Sequence, residues 1–194
     1  PVAGKKVIVA SNMLGFDKYI AKDTSWHFFY YVRYNERHQK DWDYYVTYPR
    51  FISPEVLQNN KWPPANVVYE VKVNDVTLSA VIARKSKAGI EANDALQKKN
   101  YAAAAQKYAE YIKTDASDEY VFINYGIALA SIGRIDEAIA AIKQATAIDS
   151  GNPQFYQILA QLYGAKGDSA NAQQATNQAN AIIMREQELM TGDE

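Results

Sequence analysis

Apolar and polar residues alternate between positions 67 and 84, and Asn74-Asp75 separates the two alternating runs. An alternation of period two is typical of β-strands, and an Asn-Asp pair suits the positive φ angles of a two-residue hairpin turn. The register implied by this turn places the apolar side chains on one face, through the pairs Val73–Val76, Val71–Leu78, Tyr69–Ala80 and Val67–Ile82. Residues 67–84 are therefore predicted to form a β-hairpin.

Shorter apolar runs upstream predict a small α/β domain. The segments KKVIVAS and WHFFYYVRY have the composition of strands, and NMLGFDKYI between them has the pattern of a short helix. Ser53-Pro54 supplies a helix cap followed by a proline at the first helical position, and Asn59-Asn60 ends this second helix. Together with the hairpin, these segments predict three or four strands and two short helices.

The pattern changes from residue 85 onward, where apolar residues recur at helical spacing and the sequence repeats. A period of 34 residues aligns three windows that begin at Lys85, Glu119 and Pro153. Small residues occupy positions 8 and 20 of each window, where the two helices of a hairpin must approach closely, and glycine occupies position 15 of the last two windows, where a helix ends. These residues are Ala92, Gly126 and Ala160, then Ala104, Ala138 and Ala172, then Gly133 and Gly167.

This repeat resembles the tetratricopeptide repeat family, whose helix–turn–helix units stack into a right-handed solenoid. The resemblance covers residues 85–183 and implies helical hairpins at 85–118, 119–152 and 153–186. The second window, EYVFINYGIALASIGRIDEAIAAIKQATAIDSGN, matches best, whereas the first lacks the turn glycine.

A helical pattern outlasts the third unit, and runs from Ala170 to about Met190. A repeat array must cover its open apolar end, so this segment is predicted to be a long C-terminal capping helix. Its Ala-rich stripe leaves a helix–helix dimer seam as the alternative.

Composition divides the chain near residue 84. All three Trp, both His and five of the six Pro precede this point, and the net charge is +3 before it and −4 after it. The predicted fold class is α+β, with a small mixed domain of residues 1–84 followed by an all-α solenoid of residues 85–194. A net charge of −1 gives no reason to expect nucleic acid, the lack of cysteine excludes disulfides and thiolate sites, and no apolar run is long enough for membrane insertion by this segment.

The segment NERHQKDWD, residues 35–43, raises the question of a catalytic or metal site, because His38 lies among Glu36, Asp41 and Asp43. Its spacing matches no ligand motif, and charged residues between two aromatic runs are typical of a solvated turn. We therefore expect a polar turn with no catalytic residue, no metal site and no cofactor. The Tyr and Trp residues of positions 26–62 are expected to pack in a core, with a carbohydrate-stacking surface as the alternative.

The tetratricopeptide resemblance also implies a groove, lined by the first helix of each hairpin, that holds a protein or peptide partner. The side chains at the groove positions are neutral, rich in amides and mildly apolar, and the basic residues that grip a C-terminal carboxylate are absent around Asn124. An extended peptide held by amide hydrogen bonds fits this surface, and the alternative is a groove that packs against a neighbouring domain. The predicted groove residues are Asn93, Leu96, Gln97, Tyr120, Ile123, Ile127, Ala130, Ser131, Gln154, Gln157 and Gln161.

The first half carries a second resemblance. The segments 33–37, 41–44 and 62–64, followed by a Val-rich hairpin and repeats, are similar to the soluble tail of bacterial multi-pass membrane glycosyltransferase-like proteins. This resemblance implies an extracytoplasmic location, attachment to a membrane domain upstream of Pro1, and no active-site residue in this chain. We expect a non-catalytic protein-interaction domain of a larger membrane protein. The alternatives are a freestanding periplasmic or secreted adaptor, and an accessory domain that binds glycan or peptide through residues 26–62.

Overall fold

The computed structural model describes residues 7–14 and 29–191. Most of the segment NMLGFDKYI lies outside the described residues, so the helix predicted there stays a prediction. The described residues form one sheet and six helices of ten residues or more, in the α+β arrangement that the sequence predicts.

Five strands make up the sheet within the described residues, in the spatial order β2-β1-β3-β5-β4. Strand β1 pairs in parallel with β2 and β3, and β5 pairs antiparallel with β3 and β4. Their bounds are Val9–Ser11 for β1, Phe29–Tyr31 for β2, Tyr44–Thr47 for β3, Val67–Val73 for β4 and Val76–Ala83 for β5.

The sequence-based count of three or four strands is wrong because it omitted β3. This strand has only four residues, too few for an alternation to stand out. Its position in the middle of the sheet, between β1 and β5, leaves Tyr45 and Thr47 with no exposed surface. A short strand at the centre of a sheet owes its stability to its neighbours rather than to its own pattern.

The hairpin turn is confirmed, since Asn74 and Asp75 have φ angles of 49° and 64°. The register is correct where Val73 pairs with Val76 and Val67 with Ile82, and wrong by one residue from Tyr69 to Val71. Two register shifts place Tyr69 opposite Val81 instead of Ala80. The predicted apolar face is buried only at its inner end, and the outer residues Tyr69, Val71, Val73, Val76 and Leu78 are 45–65% exposed.

Short helices follow the sheet strands β2 and β3. A 3-10 helix spans Tyr34–Gln39, a second 3-10 turn spans Pro49–Phe51, and α1 spans Pro54–Gln58. Ser53 and Pro54 lie at the start of α1 as predicted, but the Ser53 hydroxyl makes no capping hydrogen bond to the helix backbone. Asn59 and Asn60 end the helix, with Asn60 at a φ of 53°.

Six helices form three consecutive antiparallel hairpins after residue 87. They are α2 (Ala88–Gln97), α3 (Tyr101–Ile112), α4 (Glu119–Ser131), α5 (Ile135–Ile148), α6 (Pro153–Lys166) and α7 (Ser169–Thr191). Gly133 and Gly167 lie just after α4 and α6 with φ angles of 79° and 81°, as predicted from the repeat. Gly126 on α4 lets α5 come so close that a Cβ atom there would lie 2.5 Å from Ile142 Cδ1.

The last helix, α7, closes the stack. Its Ala175, Ala179 and Ile182 are buried against α6, and the residues between them are mostly exposed Asn and Gln. As far as Ile182, the apolar stripe of α7 is therefore buried by contacts within this chain. This burial does not favour the dimer seam. A polar outer face on the terminal helix is the property required of a cap.

Buried residues on the two sides of residue 84 belong to one continuous core. Trp42, Val56 and Ile82 from the sheet half lie in the same cluster as Ala88 and Tyr108 from the first helical hairpin. The sheet half is thus fixed onto the helical half. No helix among the described residues has the length and hydropathy needed to cross a membrane.

Candidate functional site

The 3-10 helix Tyr34–Gln39 brings two charged residues into the core. Arg37 and His38 have no exposed surface, so the solvated turn predicted for residues 35–43 is wrong for these side chains. Their partners come from the segment between α3 and α4, about 80 residues further along the chain. We call Arg37, His38, Asp115 and Asp118 the buried charge cluster.

Arg37 is held from three directions. Its Nη1 atom lies 3.4 Å from Asp118 Oδ2 and donates to the Tyr34 carbonyl oxygen at 2.8 Å, and its Nη2 atom lies 3.9 Å from Asp115 Oδ2. The guanidinium also stacks over the Tyr34 ring, 3.9 Å from its centroid. A buried guanidinium needs such compensation because its hydration shell is lost.

His38 links the 3-10 helix to α4 through both ring nitrogens. Nδ1 donates to Asp118 Oδ2 at 3.0 Å, and Nε2 accepts from Asn124 Nδ2 at 3.3 Å, which fixes the tautomer. The His38 carbonyl oxygen also approaches α2 so closely that a Cβ atom on Gly89 would lie 2.7 Å from it. The cluster therefore fastens the 3-10 helix onto α2 and α4, and the His38 nitrogens are occupied by these contacts.

The pKa values of the two acids at the start of α4 are shifted in opposite directions. Burial alone would raise the pKa of Asp118, but Arg37 and His38 outweigh it and hold that pKa below its usual value. Glu119 lacks such partners, so burial and the neighbouring Asp118 charge raise its pKa to about 7. Within the described residues, no set of three or more His, Asp or Glu side chains is arranged to bind a metal ion.

The predicted groove residues divide into three groups. Ile123 is 7% exposed and belongs to the core, so its assignment to the groove is wrong. Tyr120 is half-buried, receives a hydrogen bond from Asn152 at 3.2 Å and stacks edge-on against Phe155. Asn93, Leu96 and Ala130 are half-buried, whereas the exposed members are Gln97, Ile127, Ser131, Gln154, Gln157 and Gln161.

Residues 95–162 match the sequence family described as "Tetratricopeptide repeat". These residues are tetratricopeptide repeats. The matched stretch extends from the end of α2 into α6 and includes the turn glycine Gly133 but not Gly167. The repeat hairpins that the sequence resemblance implied are therefore present, and the fold is that of a protein-interaction module.

Solved structures with similar folds include "MamA MSR-1 C2", at 23% identity and a TM-score of 0.50, where the match covers 52% of this chain and 57% of that one. A second is the type III secretion chaperone SycD of Yersinia enterocolitica in complex with a peptide of the translocator YopD, at 24% identity and a TM-score of 0.46, where the match covers 47% of this chain and 70% of that one. A third is PcrH in complex with the chaperone binding region of PopD, at 19% identity and a TM-score of 0.46, where the match covers 48% of this chain and 71% of that one. This chain thus spans little more than half of the MamA chain. Likeness at this level of identity shows the fold alone. No curated protein matches the chain.

The sheet half of the chain covers part of the tetratricopeptide repeats. The 3-10 helix lies against the first helices of repeats one and two, and Asn124 of α4 is hydrogen-bonded to His38. The first helix of repeat three, α6, keeps Gln154, Gln157 and Gln161 exposed.

The aromatic residues of the first half divide between a core and the surface, where Tyr31 and Tyr44 are 45% and 39% exposed. Trp42 and Trp62 are 2% and 9% exposed, and Tyr45 is fully buried. Trp26 lies outside the described residues. The carbohydrate-stacking alternative therefore has no exposed Trp among the residues that the structure describes.

Proposed function

We propose that the tetratricopeptide repeats bind an extended polypeptide along the first helices of repeats two and three. The observation that carries this proposal is the set of exposed side chains left on α4 and α6 after the sheet half has packed, namely Ile127, Gln154, Gln157 and Gln161. These two helices are adjacent at their N-terminal ends, where the Tyr120 and Phe155 rings touch.

The chemistry of this surface suits a peptide backbone. Gln154, Gln157 and Gln161 each offer an amide donor and an amide acceptor, which can pair with the N–H and C=O groups of an extended chain. Ile127, 40% exposed, adds an apolar contact. Ser131 contributes less, because its hydroxyl donates to the Ile127 carbonyl at 2.8 Å.

The test starts from a displayed library of linear peptides selected on the intact chain, followed by affinity measurement of the enriched peptides by fluorescence polarisation. The groove variant carries Gln157→Ala and Gln161→Ala. The matched control carries Gln173→Ala and Asn180→Ala, which remove the same number of exposed amides from α7. We expect the groove variant to lose about tenfold or more in affinity, since each amide contributes about one hydrogen bond.

Equal affinities for the groove variant and the control variant would overturn the proposed binding surface. An unchanged melting temperature in both variants is the check that the fold is intact, because all four amides are exposed.

We also propose that this module is the extracytoplasmic tail of a larger membrane protein. The support is the sequence of segments 33–37, 41–44 and 62–64 ahead of the repeats. Antibody detection of the native protein on separated cell fractions tests this. A membrane-associated band much heavier than 21.8 kDa is the expected result, and a soluble band near that mass would indicate a freestanding adaptor instead.

A further inference from the structure

A cleft of about 320 Å³ lies between the sheet half and the start of repeat two. Its walls come from the ends of β1 and β2, the start of the 3-10 helix, the residues before α1, the first turn of α4 and the end of α5. This volume falls at the small end of ligand pockets, which span about 300–1,000 Å³. The lining residues that matter here are Tyr34, Glu119, Tyr120, Asp149 and Arg33.

Two polar atoms in this lining have no partner. Glu119 is 4% exposed and its Oε2 atom accepts no hydrogen bond, and Tyr34 is 5% exposed with an unpaired hydroxyl. Buried polar atoms in folded proteins are paired in the great majority of cases, because an unpaired one has lost its hydration without compensation. A carboxylate oxygen of this kind requires a donor that the chain itself does not supply.

The buried charges around the cleft are also out of balance. The buried ionisable residues of the described chain are four acids, Asp115, Asp118, Glu119 and Asp149, and two bases, Arg37 and His38. Even with both bases charged, two negative charges are in excess. Arg37 is occupied by Asp118, Asp115 and the Tyr34 carbonyl, so the excess is located at Glu119 and Asp149. Buried carboxylates without a counter-charge carry a large desolvation cost.

We propose that this cleft binds the ammonium or guanidinium group of a ligand, with Glu119 and Asp149 as its two carboxylate partners. The group enters between α4 and the end of α5 and donates hydrogen bonds to Glu119 Oε2. The Tyr34 hydroxyl is a further acceptor for it.

Asp149 is already oriented for this role. Its Oδ1 atom accepts from the Gly151 backbone N–H at 3.0 Å and lies 3.1 Å from the Ser53 hydroxyl, whose single proton is shared with Glu55 Oε2 at 2.8 Å. Glu119 and Asp149 both line the cleft, and the charge of Asp149 contributes to the raised pKa of Glu119.

The positive charge of Arg33 at the mouth does not make the cleft an anion site. The Arg33 side chain is 68% exposed and lies 3.9 Å from Glu36, so it contributes a screened positive charge at the mouth of the cleft. The interior groups, Glu119 and Asp149, are 4% and 6% exposed and dominate because they are desolvated. Removing Arg33 should therefore strengthen cation binding.

A proton and the ligand cation compete for Glu119. The charged or titratable groups that act on it are Asp118 and Arg37 beside it, Asp149 at the end of α5, and Tyr34 and Tyr120 in the cleft wall. With a Glu119 pKa of about 7, that carboxyl is about half protonated at pH 7. Cation binding at pH 7 should then release about half a proton, and almost none at pH 8.5.

The experiment is calorimetric titration of the intact chain with n-butylammonium chloride and n-butylguanidinium chloride, with n-butanol as the uncharged probe. Repeating it in buffers of different ionisation enthalpy gives the number of protons released. We expect saturable binding of both cations and not of butanol, tighter at pH 8 than at pH 6. Glu119→Gln should weaken binding by about tenfold and abolish proton release, and Arg33→Gln should strengthen binding.

Glu137→Gln is the matched control, because Glu137 is an exposed residue of α5 that pairs with Arg134. Its binding and proton release should equal those of the unchanged chain. The proposal would be overturned if butanol bound as tightly as the two cations, or if Glu119→Gln released as many protons as the unchanged chain. The proton count of the unchanged chain tests it even where a variant fails to fold.

A final titration identifies the source of the cation. The probes are acetyl-Gly-Lys-Gly-amide and its Gln analogue. If the lysine peptide binds more tightly than butylammonium and the Gln peptide does not bind, the natural ligand group is a basic side chain of a polypeptide. Equal or tighter binding of butylammonium identifies a free amine. The result does not depend on the groove proposal, since Gln157 and Gln161 do not line the cleft.

Discussion

His38 and Asp118 are 80 residues apart in sequence and joined by a 3.0 Å hydrogen bond in which both side chains are fully buried. The same carboxylate pairs with Arg37 at 3.4 Å through Oδ2, and its Oδ1 caps α4 by accepting from the Tyr120 backbone N–H at 3.2 Å. One side chain thus begins repeat two and fastens the sheet half to it. Loss of its charge should therefore weaken the attachment of the sheet half.

Asp118→Asn tests this coupling. Asn is an equally good helix cap, so the substitution mainly removes the negative charge and leaves Arg37 buried with Asp115 as its remaining acidic partner, 3.9 Å away. We expect the free energy of unfolding to fall by about 3 kcal/mol, as for other broken buried ion pairs. Urea unfolding followed by circular dichroism and by Trp fluorescence measures it.

Asp136→Asn is the control for that change. Asp136 pairs with Lys166 on the surface, with 76% of its side chain exposed, and the same substitution should cost less than about 1 kcal/mol. If the two variants lose equal stability, the buried charge cluster does not hold the two halves together.

Stability should fall as the pH rises through neutrality. The pKa of Glu119 is about 7 in the folded chain, above its ordinary value of 4.5, so the folded state binds more protons than the unfolded state between these values. The free energy of unfolding therefore decreases with rising pH across this window, by a total on the order of 3 kcal/mol. The raised pKa of Asp149, due first to its burial, has the same sign at lower pH. Asp118 has the opposite sign, but its lowered pKa acts only below about pH 4.

Urea unfolding at several pH values between 5 and 8, in buffers without amines, gives the slope. Glu119→Gln cannot titrate, and should flatten the curve and be more stable than the unchanged chain at pH 8. Parallel curves for the two proteins would show that Glu119 is not the group responsible.

The repeat half was predictable because its determinants are local. Small residues at fixed spacing allow close helix packing, and a glycine at a positive φ angle ends a helix, as Gly133 and Gly167 do. The turn at Asn74-Asp75 was predictable for the same reason. Each of these features depends on residues within one window of the chain.

The buried charge cluster was not predictable in this way. Arg37 and His38 lie in a charged segment, and only their partners after α3 make burial favourable. One local feature argued against a solvated turn. Such turns usually contain Gly or Pro, and residues 33–48 contain neither. The register of the hairpin was also not predictable from the turn, because two register shifts lie further along the ribbon, between Val67 and Tyr69 and between Val71 and Lys72.

Replacing Lys99 by glycine should stabilise the folded chain. Lys99 occupies the turn position held by Gly133 and Gly167 in the other repeats, with a φ of 58°, where an ordinary side chain is strained. We expect Lys99→Gly to raise the free energy of unfolding by about 0.5–1 kcal/mol. The neighbouring Lys98 has a φ of −79°, so Lys98→Gly should destabilise the chain instead. The two changes having the same sign would contradict the assignment of strain to Lys99.

Gly126 tests the closest helix approach in the repeats. A Cβ atom there would lie 2.5 Å from Ile142 Cδ1 and 3.3 Å from the Ala138 carbonyl oxygen, whereas Gly164 on α6 has open space within 4 Å. Gly126→Val should separate α4 from α5 and cost about 2–3 kcal/mol, because the branched side chain cannot fit without moving the backbone. Gly164→Val makes the same chemical change on a helix and should stay within about 0.5 kcal/mol of the unchanged chain, since valine is the better helix former. Thermal and urea unfolding of both variants measure the difference. Equal stabilities would mean that α5 can move away from α4 without cost, and that position 8 of the repeat does not require a small residue here.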